Sequence, residues 1–135
     1  MKRFLIDTNI YSHALKGDPE VVSILRKANL IGVSVISIGE LLSGFKGGCK
    51  ITENREELEF FLDSPRVQVY QVDDETAEYY SEVLNNLKQI GKPIPTNDLW
   101  IAATAFQNGL KLFSKDKHFK YIPGLTCVDS QILKK

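Results

Sequence analysis

Residues 4–10 read FLIDTNI, three apolar side chains running straight into an acid. Phe4, Leu5 and Ile6 form a short continuous apolar run, the pattern of a strand covered on both faces rather than one. With Arg3 the strand is RFLI, and it stops on Asp7 with Thr8 and Asn9 directly behind it. An acid at that point has two readings. It can cap the helix that follows, or it can stand at the rim of a sheet to bind a metal.

Outward from this strand the signals alternate. YSHALKG reads as a short helical piece stopped by Gly17, and Asp18 followed by Pro19 is a strong start signal for the helix in DPEVVSILRKANL. IGVSVI, residues 31–36, is rich in β-branched side chains and predicts a second strand. SIGELLSGFKGG carries Ile38, Leu41, Leu42 and Phe45 on one helical stripe and ends in glycines. A charged helix in TENREELEFFLDSP and a third strand, VQVY, come next. DDETAEYYSEVLNNLKQIG has acids in its first turn and Gly91 at its end, a well-marked helix. After the rigid KPIPT connector, the alanines of NDLWIAATAFQNG predict a helix packed close to a neighbour, with Trp100 as packing or an oligomer contact. KLF is a fourth strand, KDKHFK a turn or short helical piece, and LTCV a fifth strand.

Strands alternating with helices imply an α/β fold: an α/β/α sandwich around a mainly parallel sheet of about five strands. At 135 residues, with no repeat or linker, residues 1–135 are expected to form a single domain. Lys plus Arg and Asp plus Glu both number 17, so no global basic field recruits nucleic acid, although a local patch would escape that sum. Cys49 and Cys127 show neither metal-ligand spacing nor a disulfide framework. No apolar run reaches membrane-spanning length, and MKRFLIDTN meets an acid too early for a signal peptide. The expected location is the cytoplasm, away from membranes.

In open parallel sheets, sites form beyond the carboxyl ends of the strands. Asp7 follows the first strand, Glu40 lies a helical turn past the second, Asp98 opens the alanine-rich helix, and Asp116 follows the fourth strand. All four fall at one edge if the sheet is parallel. Grouped carboxylates raise one another's pKa, and a hard divalent cation relieves that repulsion, so Mg²⁺ or Mn²⁺ is the natural partner. Such an ion can orient a water and clamp a phosphodiester. Thr8, Asn9 and Ser114 are close enough in sequence to orient these acids or their waters. Capping competes at every position. Asp7 could cap the next helix, Ser37 with Glu40 fits a capping box, and Asp98 and Asp116 suit first turns. Capping makes no demand that all four share one sheet edge, whereas metal binding does. The two roles can coexist.

Among the basic residues near the acids, Lys115 and Lys117 are the candidates to meet phosphates. His13 and His118 share no ligand spacing and read as surface or structural residues. No P-loop, dinucleotide fingerprint or Ser or Cys nucleophile motif is present.

Taken together, FLIDTNI, the Glu of VISIGELLSG, IPTNDLWIAATA and LFSKDKHFKYIPGL resemble the PIN-domain family, and more narrowly the VapC toxins of bacterial type II toxin–antitoxin pairs. The resemblance spans essentially the whole chain. It implies a Mg²⁺- or Mn²⁺-dependent endoribonuclease with Asp7, Glu40, Asp98 and Asp116 as its acidic metal-binding quartet and Ser114 in support. It further implies a homodimer and a cognate VapB-like antitoxin that holds the enzyme inactive. One departure is His118, where many members carry a second Asp before the Phe. Other classes fit less well. A receiver-like module needs a phospho-acceptor Asp ending a central strand, and no internal strand here ends on one. A haloacid-dehalogenase-like phosphatase needs a second Asp two residues after the first, and that place is Asn9. A catalytically silent member that only binds its partner or operator is the remaining alternative, and the intact quartet argues against it.

Overall fold

The computed structural model describes residues 2–128. Its elements run β1 (Arg3–Ile6), α1 (Thr8–Leu15), α2 (Pro19–Lys27), β2 (Leu30–Ser34), α3 (Val35–Lys46), α4 (Ile51–Leu62), β3 (Val67–Tyr70), α5 (Asp74–Gln89), α6 (Thr96–Gln107) and β4 (Lys111–Phe113), then a 3-10 helix over Lys117–Tyr121. The four strands form one sheet in the order β3-β2-β1-β4, and every pairing is parallel. Chain direction around the sheet reverses beside β1: β2 and β3 are laid down on one side, and the chain then returns to place β4 on the other. The carboxyl end of the β1–β4 pair is therefore a topological switch point, the place where open α/β sheets leave a crevice.

The FLI run occupies both faces of the sheet, as its unbroken apolar character requires. Phe4 and Ile6 join Ile31, Val33 and Phe113 in a core with α1, α2 and α4. Leu5, pointing the other way, joins Leu112 and the buried face of α5 and α6. Ala102, Ala103 and Ala105 are fully buried, so α6 lies close against its neighbours, while the half-buried Trp100 stacks on Tyr80 of α5 at 4.2 Å between centroids. Gly32 is another close approach: a Cβ there would stand 2.8 Å from Cε2 of Tyr70 and 3.2 Å from Cδ1 of Leu5.

Two local expectations change. β2 stops at Ser34 and α3 begins at Val35, so Val35 and Ile36 are helical despite their β-branched side chains. The Ser34 hydroxyl accepts from the Ile36 N–H at 3.1 Å, and this cap overrides the weak strand preference of two residues. LTCV, Leu125–Val128, makes a single parallel bridge, Cys127 to Leu112, and does not extend into a strand among the described residues. Leu112 bonds this segment on both sides, accepting from the Val128 N–H at 2.8 Å and donating to the Thr126 carbonyl at 2.9 Å. With β4 only three residues long, there is little edge for a fifth strand to follow. No helix among the described residues is long and apolar enough to cross a membrane.

Candidate active site

β1 delivers Asp7 to the switch point, and two backbone choices fix it there. Its N–H donates to the Phe113 carbonyl at the end of β4 (3.2 Å), and its Oδ1 accepts from the Ile10 N–H (2.9 Å), which makes it the N-cap of α1. The capping reading of Asp7 is thus correct, and it leaves the carboxylate facing a cavity. The residue is only 3% exposed, a placement acids tolerate when their oxygens are bonded. The second oxygen, Oδ2, accepts a short hydrogen bond from the Ser114 hydroxyl, which itself accepts from the Asp116 N–H at 3.0 Å.

Glu40 does not cap its helix. Because Ser34 is the N-cap, Glu40 is the sixth helical residue of α3, a turn and a half in, and the Ser37–Glu40 capping box does not form. Its Oε1 instead accepts from the Thr8 hydroxyl at 2.7 Å, across 32 residues of sequence. Asp98 lies in the first turn of α6, and Asp116 stands just ahead of the 3-10 helix without a side-chain cap bond. Asn9 donates to Asp116 Oδ2 at a long 3.4 Å.

These four acids, with Thr8, Asn9 and the Pro95–Thr96–Asn97 approach to α6, line one cavity of about 360 Å³. Burial pushes the Asp7 carboxyl above its usual range, and Asp116 and Asp98 push it further, against the lowering effect of the Ser114 and Ile10 hydrogen bonds. Asp98 is raised as well, first by burial and then by Glu40 and Asp116, while His118 pulls it down. A pocket that makes two of its carboxylates reluctant to ionise has the electrostatics of a cation site. The donors are hard oxygens from four separate elements, the chemistry that suits Mg²⁺ or Mn²⁺. Among the described residues, no group of three or more Asp, Glu, His or Cys side chains is gathered closely enough to hold a metal ion as it stands.

The candidate lysines sit beside this cavity. Lys115 and Lys117 line a neighbouring depression with Ser114, Asp116 and Lys120. Lys115 is already engaged, its ammonium 2.9 Å from Asp18 Oδ2, and that bond holds the Lys115 pKa up and the Asp18 pKa down. Three contributors escape the sequence reading. Thr96 and Asn97 line the acidic cavity, and the only local signal for them is their place next to Asp98 in PTND. His118, read as surface or structural, brings Nε2 to 2.9 Å from Asp98 Oδ2. No sequence spacing could have flagged that contact, since it joins two elements far apart in the chain.

Fold and pocket together define an α/β protein with an acidic cavity at the switch point of a parallel sheet, and comparison with known proteins assigns its family. The PIN domain profile matches residues 4–125. Ribonuclease VapC2 of Rickettsia felis is 32% identical over 127 residues, covering 90% of this chain and 93% of that protein. Ribonuclease VapC1 of Haemophilus influenzae is 30% identical over 131 residues, covering 93% and 96% respectively. Among solved structures, VapBC2 from Rickettsia felis bound to a DNA fragment from their promoter superposes with a TM-score of 0.84 at 30% identity, covering 93% of this chain and 97% of that one. The chain belongs to the PIN-domain family and, within it, to the VapC ribonucleases.

Proposed function

We propose that this protein is a metal-dependent endoribonuclease that acts as the toxin of a toxin–antitoxin pair, with Asp7, Glu40, Asp98 and Asp116 as its catalytic acids. The observation that carries the reading is the convergence of these four carboxylates, from four elements, on one cavity at the switch point. The relatives named VapC are ribonucleases, which supports RNA as the substrate. The VapBC assembly from Rickettsia felis supports a VapB-like antitoxin as partner. On this reading residues 1–135 work as one nuclease domain, paired as a homodimer, in the cytoplasm.

Asp7 and Asp98 are the principal holders of Mg²⁺ or Mn²⁺, with Glu40 and Asp116 completing the anionic wall. The ion, when bound, supplies a polarised water and charge for the developing phosphorane. The chain's own residues supply position. Ser114 and the first turn of α1 fix both oxygens of Asp7, Thr8 fixes Glu40, and Asn9 steadies Asp116. Lys115 and Lys117, on the rim, meet flanking phosphates, Lys115 by exchanging Asp18 for RNA. In hydrolysis a water adds to phosphorus and the 3′ oxygen leaves, so products carry a 5′-phosphate and a 3′-hydroxyl, with no part for the 2′-hydroxyl.

The test is cleavage of a mixed RNA pool by purified protein in Mg²⁺, Mn²⁺ or EDTA. Cleavage is expected in either metal and absent in EDTA, and Asp7→Asn is expected to cost at least about a hundredfold in rate. Products ending in 2′,3′-cyclic phosphate would overturn the mechanism. Full activity in Asp7→Asn would remove the catalytic assignment.

A further inference from the structure

Three of the four acids of the cavity are held by a polar hydroxyl or amide side chain from another part of the chain. Ser114 holds Asp7, Thr8 holds Glu40, and Asn9 holds Asp116. Asp98 has no such hydroxyl or amide among the described residues. Its neighbour is the His118 imidazole, whose Nε2 approaches Oδ2 to 2.9 Å from the 3-10 helix. That nitrogen is buried and has no aligned hydrogen-bond partner, so the approach lies off the line of the ring N–H. The ring itself is seated, tilted at 48° and 4.7 Å from Phe119, a fully buried core residue. Rotation about χ2 of a histidine is soft, so the N–H can swing into line at little cost. A buried ring nitrogen with one acceptor in reach carries its proton toward that acceptor.

Without this contact Asp98 would have reason to leave. It is partly buried and faces Glu40 and Asp116, both of which repel it, and a first-turn side chain on α6 can rotate toward water. We propose that His118 is a positioning residue that holds the Asp98 carboxylate in the cavity to receive the divalent cation. The inference rests on the metal-dependent reading of the same pocket and adds to it the fourth holder. His118 acts through Asp98 and need not touch ion or RNA.

Substitution at His118 separates this role from simple packing. In His118→Gln the amide nitrogen falls where Nε2 was, whereas the shorter side chain of His118→Asn reaches only the position of Nδ1. The readout is Mn²⁺ affinity in the absence of RNA, followed by the electron paramagnetic resonance of free Mn²⁺, with melting in EDTA as the folding control. His118→Asn and His118→Ala are expected to bind Mn²⁺ about tenfold more weakly than the wild type, the usual penalty for losing a residue that orients a ligand, and His118→Gln to recover most of that loss. Wild-type affinity in the Asn and Ala variants overturns the proposal, and so does a Gln variant as weak as they are. A packing role would instead lower the melting temperature in EDTA and leave the affinities alike. If the wild type itself takes up no Mn²⁺, the metal reading of the pocket falls and the role of His118 falls with it.

Discussion

Asp7 shows how one side chain can be costly to the fold and useful to the site. Its pKa is raised in the folded state, chiefly by burial. A carboxyl with a raised folded pKa favours folding only while it is protonated, and that contribution is lost as pH climbs through the folded value. At neutral pH, above the carboxyl's unfolded-state value, this raised pKa therefore works against the metal-free fold. Asn caps a helix as well as Asp does and carries no charge. Asp7→Asn should consequently melt above the wild type in EDTA at pH 7, with the difference shrinking toward zero below about pH 4, where both side chains are neutral. Thermal melts across pH check this, and a variant that melts below the wild type at pH 7 would contradict it. Residues of this kind were readable in advance because position after a strand is a chain property. His118 was not, because an imidazole's role depends on what a distant helix brings to it.

Among the elements, β2 depends on a side chain it lacks. Gly32 lies under the Tyr70 ring of β3 and between Leu5 and Leu110, where any Cβ would be crowded. Gly32→Ala should destabilise by about 1–3 kcal/mol, the ordinary range for overpacking, through displacement of the Tyr70 ring. Denaturant unfolding measures it, and an unchanged midpoint would show that the ring yields freely. The helices opened by Asp18 and Asp73 were plain in the sequence from local signals, an Asp-Pro start for the first and an acidic first turn with a terminal glycine for the second, and the structure adds a side-chain cap at both. The start of α3 was misread for the opposite reason. Val35 and Ile36 look like strand, and only Ser34 turning to bond Ile36 ends β2. At LTCV the apolar, β-branched composition was real, but a strand also needs an edge long enough to pair with.

For the molecule as a whole, the site is a store of unfavourable charge that, on the proposed reading, a cation would discharge. Any ligand that binds only the folded state stabilises it by mass action, and a concentration a hundred times the dissociation constant contributes about 2.7 kcal/mol. Mn²⁺ at that excess should raise the melting temperature of the wild type by roughly 10 °C over its value in EDTA. The same addition should move Asp7→Asn far less. Equal shifts in both proteins would mean that the ion binds elsewhere. The parallel sheet and the shared edge of the acids were legible from alternation alone, because a parallel sheet puts every strand's carboxyl end on one side. The strand order was not legible. It fixes which acids meet, and it is set by packing between residues distant in sequence.

That order also sets when in its own synthesis the protein becomes dangerous. β1 precedes its pairing partner β4, and the Ser114 that grips Asp7, by 107 residues. Chains are made and folded from the amino end, so a nascent polypeptide can assemble β1, β2 and β3 while its reactive corner is still unbuilt. Asp116 and His118 follow Ser114 and complete the cavity's set of side chains. On the proposed reading the acidic corner is therefore completed only after β1, β2 and β3 have been made, which would give an antitoxin time to be present before the first bond is cut.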